Sequence, residues 1–548
     1  KIMKRKAVAA VLTAVMVASM FTGCGSDNGS SSAKSASAAS AASAANDTVD
    51  EDGKVNGIMY QEGLPLVDEG DYTFSIFCDD SSESGEFIML DEFKKQTNVD
   101  VDLKIYPYET ATERLNLDLN SGDYADVIGG WTLSDNAILT YGVNQGVFIP
   151  LEDYFEKYCP NISAILDLPG VREKMTAPDG HIYTIPYVCT DTTVGYSPYI
   201  NTKWLENVGM SMPTTTDEFE AVLKAFKEQD ANGNGDASDE IPFSTDPNNK
   251  HIEAMAGYFG LPMNKLGIAI QNEKVVYGGV SDTYREFLSW FHKLYAEGLV
   301  DVELYTQDSS TWEGKGNQDL YGVSIAYGSN EFTGIPAAEE RGDFDSMPVL
   351  NTDKDGIWLR DTEGFSVYRT QAVITNKAEH PEIICRWFDN AFALENGIGC
   401  NRGPVGVIVN KEDDGYHAID TTTLSEEDQE KYSWGNLWPQ SLPKYLPVDF
   451  EFVEEHPMYD EKKATEEAYE ANLTKEIIPS YWIDLDKIDT FSDTNTAIKD
   501  FFEQQQAQFV CGELDIDNDA DWQAYVDGMY SLGLEDWVAT QGIEEIAK

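Results

Sequence analysis

Apolar residues recur along this chain with two periods, and the alternation between them predicts its elements. The run "YTFSIFCDD" from Tyr72 is rich in β-formers and ends in acidic residues, which predicts a buried strand. In "GEFIMLDEFKKQTN" Phe87, Leu90 and Phe93 fall at helical spacing. "VDVDLKIYPY" then reads as a second strand, and "ATERLNLDLNSGDYADVIGGW" as a helix, a glycine turn and a third strand. Strands alternating with helices predict βαβ units and a parallel sheet. No internal repeat of the kind that marks solenoids or propellers is present.

The middle of the chain is well punctuated. In "SMPTTTDEFEAVLKAFKEQ" Thr215 stands three residues before Glu218, a capping-box pattern, and Phe219, Val222, Leu223 and Phe226 share one helical face. "DTYREFLSWFHKLYAEGLV" predicts a second amphipathic helix with Tyr284, Phe287, Leu288, Phe291 and Leu294 inward and Gly298 as its stop. "HPEIICRWFDNAFALENG" and "DWQAYVDGMYSLGLEDW" read as two more, with their aromatics in the core.

Between the Thr215 helix and the probable strand "IPFST" lies "DANGNGDASDEIPF". Asp230, Asn232 and Asn234 alternate and Gly235 follows, the pattern that lets a short loop wrap a calcium ion in oxygen ligands. Side chains come from these three residues and a backbone oxygen from Asp236, while Asp239 and Glu240 are the candidate closing ligands. An EF-hand would close on Glu at position twelve, where this chain has Ile241. Because the loop joins a helix to a strand, the expectation is a structural clamp over 230–241 and not a calcium sensor. A second acidic alternation, Asp515, Asp517, Asp519 and Asp521, lacks the glycine and reads as a solvated helix start.

Composition adds location. Lys4-Arg5-Lys6, an apolar run from Ala7 to about Phe21 and then Thr22-Gly23-Cys24 describe a secretory signal over 1–23. Gly23-Cys24 resembles the bacterial lipobox, which implies an acylated (palmitate-type) Cys24 as mature N-terminus; Phe21 stands where that motif usually has Leu. The Ser/Ala-rich segment after it, taken as 24–60, cannot bury enough apolar surface to fold and is expected to be a disordered tether. Together these predict a body held on the outer face of the cell membrane. The formal charge of −59 excludes nucleic acid as a partner, since phosphate binding needs basic patches. Of the seven cysteines, six lie beyond Cys24 and none is at CxxC spacing, so no zinc or thioredoxin-type site is signalled; disulfides and free buried thiols both stay open.

"NSGDYADVIGGW", "DGHIYTIPY", "YINTKWLENVGMSMPTTTDEFEAVLKAFKEQDANGNGDASDEIPF" and "LYAEGLVDVEL" resemble the signature stretches of extracellular solute-binding proteins. More narrowly they are similar to the large family 1 lipoproteins that serve carbohydrate ABC importers in Firmicutes. The resemblance runs from about Tyr72 to the C-terminus, and the loop is one residue longer than the usual "NGNG-x-x-DEIP" spacing. It implies a two-lobed α/β fold with ligand between the lobes and a hinge of crossing strands. The lobes would be 72–188 with 343–396 and 189–342 with 397–548, the calcium loop lying in the second, away from the cleft. It further implies a monomer that takes a carbohydrate, closes, and docks on the permease subunits of an importer, with calcium as a structural cofactor.

Carbohydrate sites pair aromatic faces with a few placed polar groups, and open α/β sheets bind ligands beyond the carboxyl ends of their strands. Loops meeting both conditions hold Asp79 to Glu83, Trp131, and Asp246 to Asn249, with Tyr327, Asn330 and Arg360 as further candidates and Trp434 and Trp438 behind them. Trp131 matches the place where sugar-binding relatives carry a stacking Trp. A glycoside-processing enzyme is the first rival, but among 97 acidic residues carboxylate pairs arise by chance, and no HExxH, GxSxG or phosphate-loop pattern occurs. The expectation is a non-enzyme. A surface glycan receptor or adhesin of the same fold is the second rival, and a peptide or metal binder a weaker third.

Overall fold

The computed structural model describes residues 47–80, 86–247, 251–334, 342–419, 421–447, 450, 452–453 and 457–547. The signal segment, Cys24, Glu83 and Asn249 lie outside them. In chain order the strands are β1 (Lys54–Val55), β2 (Met59–Tyr60), β3 (Tyr72–Asp79), β4 (Val99–Tyr106), β5 (Val127–Gly129), β6 (Thr184–Thr190), β7 (Ser197–Asn201) and β8 (Ile241–Thr245). They continue with β9 (Ile268–Gln271), β10 (Lys274–Tyr277), β11 (Tyr321–Ala326), β12 (Phe344–Ser346), β13 (Phe365–Ile374), β14 (Val409–Glu412), β15 (Gly415–Ala418) and β16 (Glu545–Ile546).

The first main sheet has the order β4-β3-β5-β13-β6. β3 runs parallel to β4 and β5, as the βαβ pattern predicts, while β13 is antiparallel to both of its neighbours. A strand buried on both faces reads as a continuous apolar run, and β3 is one: Phe74, Ile76 and Cys78 enter one core while Phe77 enters the core on the opposite face. The second main sheet, β12-β7-β11-β8, packs Ile200, Phe243, Val323 and Ile325 into the largest core and Tyr199 and Tyr321 into a smaller one behind it.

The predicted helices sit where their periodicity places them. Thr215 caps the helix Thr216–Glu228 by accepting from the Glu218 amide at 3.2 Å. The Glu218 carboxylate closes the box one residue early, on the Thr214 amide and hydroxyl. The five inward residues of the helix Asp282–Ala296 are all buried. Two stretches read as single helices are each broken. The first divides into Pro381–Ala391 and Leu394–Arg402, and the second into Asp519–Ser531 and Leu534–Thr540, where Gly533 takes φ +91°.

Two boundaries differ from expectation. The tether does not extend to residue 60: β1 and β2 form a hairpin turned by Asn56 and Gly57 at φ +50° and +76°. Val55 and Met59 are buried against the first core. Asn-Gly between apolar residues is a strong hairpin signal, and it outweighs the low complexity just before it. The segment 343–396 is not of one piece either. Phe344 lies in β12 of the second sheet, and Met347, Val349, Leu350 and Trp358 lie in the second core. Conversely Cys400, Trp438 and Leu442 belong to the first core. The chain changes bodies near residues 361–364, where polar residues replace the apolar pattern, and returns to the second core with Tyr469.

Candidate functional site

Two segments crossing between the sheets are bonded to each other. Residues 191–196 lead from β6 to β7, and 347–364 from β12 to β13. The Asp191 amide donates to Gly364 O at 3.1 Å, the Asp361 amide to Thr193 O at 3.0 Å, and the Thr362 hydroxyl to Thr192 O at 3.0 Å. The Gly195 amide closes the set on the Asp361 carboxylate at 2.7 Å. Such a paired ribbon is a short element that can absorb a change in backbone angle between two packed bodies.

Side chains from both sheets meet at this ribbon. Tyr327, just past β11, donates its hydroxyl to Asp191 at 3.2 Å, and Tyr368 on β13 donates to the same carboxylate at 3.3 Å. Ser366 adds a third hydroxyl at 2.6 Å. A carboxylate taking three hydroxyl donors, from two separate sheets, fixes the orientation of both tyrosine rings. Lys462, buried, donates to Gly195 O at 2.8 Å and places its ammonium 3.7 Å from the centre of the Tyr327 ring. That is a cation–π contact shielded from water, the setting in which such contacts are strongest.

Aromatic rings extend from this point in both directions. On the first sheet's side Tyr187 stacks on Tyr368 (5.5 Å, 21°), and Trp131 meets Tyr368 edge-on at 5.3 Å. On the second side Tyr327 meets Tyr196 at 6.0 Å, and Tyr196 stacks on His251 at 4.0 Å. Burial pushes His251 down to about 3, so this ring is neutral.

Trp131 is held open to solvent by its backbone. Asp79, fully buried at the end of β3, accepts from the Trp131 amide at 2.9 Å and the Thr132 amide at 2.6 Å. Gly130 has φ +132°, and a Cβ there would fall on the Asp79 carboxylate. Only glycine allows that approach. Asp79 is therefore a positioning residue and not a surface ligand, while the Trp131 ring is 45% exposed.

The other expected residues divide. Tyr327 stands in the group just described. Asp246, at the carboxyl end of β8, is buried with its charge close to those of Glu313 and Glu331. Asn330 opens the short helix Asn330–Thr333 beside it. Arg360 is not brought into the group: its guanidinium is engaged by Thr474 O at 3.1 Å and Glu470 at 3.4 Å. Trp438 is a core residue stacked on Trp387 at 5.8 Å. Sequence reasoning missed Asp191, Tyr196 and His251, which lie on connecting segments, Tyr187 and Tyr368, which lie within strands, and Lys462 on the helix Pro457–Tyr469; no shared periodicity links them. The two tyrosines that bracket the polar stretch "YVCTDTTVGY" around Asp191 were the available signal.

The loop between the helix Thr216–Glu228 and β8 enters β8 at its amino end, whereas Asp246 leaves at the carboxyl end. The five-residue strand separates them by about 17 Å. Gly235 N donates to Asp230 Oδ2 at 2.9 Å, Ala231 N to Glu240 Oε1 at 2.9 Å, and Asn234 Nδ2 to Asp239 at 2.8 Å. Asp230 Oδ1 and Glu240 Oε2 are buried without any hydrogen-bond partner. Buried unsatisfied carboxylate oxygens are costly, and burial raises Glu240 above the usual carboxylate range. Among the described residues, one group already brings three ligand atoms within 4.8 Å, Glu412, Asp414 and His417; it is on the β14–β15 hairpin with His417 paired to Asp414. All six body cysteines are free thiols.

Burial also sets a pH dependence. Glu331 is raised to about 7 and Asp389, buried in the first core, to about 6. Unfolded carboxyls titrate near ~4, so between about pH 4 and 7 the folded form holds protons that the unfolded form releases. Stability therefore falls as pH rises through that window. Thermal unfolding should show a lower midpoint at pH 7.5 than at pH 5, with a smaller difference in Glu331→Gln; an equal difference in that variant would remove Glu331 from the account.

Two α/β bodies built on mixed sheets and joined by paired crossing segments, with an aromatic-lined polar junction between them, have the arrangement of a protein that binds a solute between lobes. Residues 80–397 match the bacterial extracellular solute-binding protein family, and the chain belongs to that family. It is 31% identical over 411 residues to the fructooligosaccharide ABC transporter substrate-binding protein FusA of Streptococcus pneumoniae, covering 73% of this chain and 70% of FusA. The structure of FusA with kestose superposes with a TM-score of 0.75 at 26% identity, covering 86% of this chain and 98% of that one. That of a FusA EF-hand mutant with fructo-nystose gives 0.73 at 27% identity, again covering 86% and 98%.

Proposed function

We propose that this protein captures an oligosaccharide outside the cell and delivers it to the permease of an ABC importer, binding the sugar without turning it over. The observation that carries this reading is the junction at Asp191, where Tyr327 from one sheet and Tyr368 from the other share one carboxylate beside the exposed Trp131. Flat rings offer faces for the apolar sides of sugar rings, and the hydroxyl–carboxylate set offers both donors and acceptors to sugar hydroxyls. The ligand names of FusA make fructo-oligosaccharides the first class to try.

In this reading one lobe comprises 47–190 and 365–445 with 480–488 packed on it, and the other 197–360, 457–479 and 489–547, and they close by bending at the 191–196 and 361–364 ribbon. Trp131, Tyr187, Tyr368, Tyr327, Tyr196 and Asp246 would face the sugar, with Asp79 and Lys462 holding the rings in place. Cys24 would carry the lipid that anchors the body to the membrane through residues 25–46.

The loop 230–240 fits a calcium ion. Its two orphaned carboxylate oxygens, on Asp230 and Glu240, are the anionic donors a hard cation takes, and Asn232, Asn234, Asp236 and Asp239 stand in the same turn. A bound calcium would neutralise these carboxylates and fix the corner between the helix Thr216–Glu228 and β8. Set a strand length from Asp246, it would act on stability and not on the sugar.

Thermal unfolding of the lipid-free body across mono- and oligosaccharides tests the proposal. Ligand at a hundred times its Kd should add ~2.7 kcal/mol, visible as a shift for at least one glycan. No shift with any glycan, together with a shift for a peptide, would overturn it.

A further inference from the structure

The chain has eleven tryptophans, all among the described residues, and two of them are exposed: Trp131 at 45% and Trp434 at 55%. The other nine are buried or half-buried. An indole left in water forgoes a large favourable burial. Both of these are held in that unfavourable state by consecutive residues at the end of β3.

Asp79 bonds the Trp131 amide. Asp80 accepts from the Gln440 amide at 2.8 Å, and Gln440 Nε2 donates back to Trp434 O at 2.9 Å. Gln440 also accepts from Lys444 through its side-chain oxygen, and the Lys444 ammonium lies over the Trp434 ring, 5.3 Å from its centre. One face of the Trp434 indole is thus backed by a buried cation, and the exposed remainder faces water. Lys444 is pushed down to about 8 by burial, yet it keeps its proton at neutral pH. Asp79 and Asp80 thus tie both tryptophan-bearing segments to the same strand end. Tyr108, exposed on the same rim, lies beside both carboxylates and Trp131.

We infer that Trp434 is a second sugar-stacking platform, adjacent to that of Trp131 and engaged only by a glycan long enough to reach both. The inference rests on the carbohydrate reading above and adds to it a length requirement and the residue that sets it. Trp131 takes the sugar unit nearest the Asp191 junction, and Trp434 takes a unit further along the chain. Lys444 and Gln440 are positioning residues that keep the indole open.

Calorimetric titration of wild type, Trp434→Ala and Trp434→Phe with sucrose, kestose and nystose tests this. Trp434→Ala should lose at least tenfold in affinity for the longest of these, lose little for the shortest, and so flatten the dependence on length; Trp434→Phe should keep most of it. Since the ring is exposed, the unfolding midpoint should be unchanged without ligand. Equal affinities of wild type and Trp434→Ala at every length overturn the inference while leaving the carbohydrate reading intact. A uniform loss at all lengths with a lowered midpoint also overturns it, by showing a merely structural role. A wild type that binds none of the three, nor any glycan of another composition, overturns the carbohydrate reading and this inference with it.

Discussion

Trp131→Ala is expected to weaken glycan binding by at least about thirtyfold while leaving the unliganded protein as stable as before. The ring is nearly half exposed, so little core is lost. Its backbone amide stays bonded to Asp79, so the loop stays in place. What disappears is the face that meets Tyr368 edge-on at the junction of the two sheets. Central aromatic anchors typically cost ~2 kcal/mol or more on truncation, which is the stated factor. Trp131→Phe should recover most of the affinity, because a smaller flat face remains. Calorimetry on the two variants checks this. Unchanged affinity in Trp131→Ala would move the sugar away from the Asp79 end of β3.

Removing calcium is expected to lower the unfolding midpoint by several degrees with no matching loss of sugar affinity. Asp230 Oδ1 and Glu240 Oε2 are buried and unpartnered, and four acidic side chains crowd one turn. A cation there offsets both the desolvation and the mutual repulsion. At free calcium a hundredfold above its Kd the gain is ~2.7 kcal/mol. Chelation should abolish it in wild type and change nothing in Asp230→Asn combined with Glu240→Gln. Burial holds the Glu240 carboxyl above its usual range, so chelation should cost less at lower pH, where a protonated carboxyl no longer needs the ion. A midpoint that does not respond to chelator would contradict calcium at this loop. A loss of sugar affinity on chelation would contradict its remoteness from the sugar.

Periodicity made the layered α/β body legible. β3, the helix Thr216–Glu228 and the helix Asp282–Ala296 each carry a buried face that spacing alone identifies. The breaks at Phe392–Ala393 and at Gly533 were not legible, because apolar spacing continues across both and only tertiary packing decides where a helix ends. The loop proposed to hold calcium stands out in the sequence because its candidate donors are local, all within eleven residues of chain. The junction at Asp191 was not. Tyr327, Ser366, Tyr368 and Lys462 come from four separate stretches, and no local spacing ties them to one carboxylate. Trp131 stands out by its place after the third predicted strand and by its match to the stacking Trp of sugar-binding relatives. Trp434 stayed ambiguous beside Trp438, four residues on, since both lie in one aromatic run; the fold buries one against Trp387 and leaves the other open.

The most direct test of the central claim is calorimetric titration of the lipid-free body with kestose in calcium buffer, followed by nystose and glycans of other composition. Saturable binding of an oligosaccharide at one site per chain is expected, weakened at least about thirtyfold in Trp131→Ala. No saturable heat with any glycan, in protein shown to be folded and calcium-loaded, would contradict it.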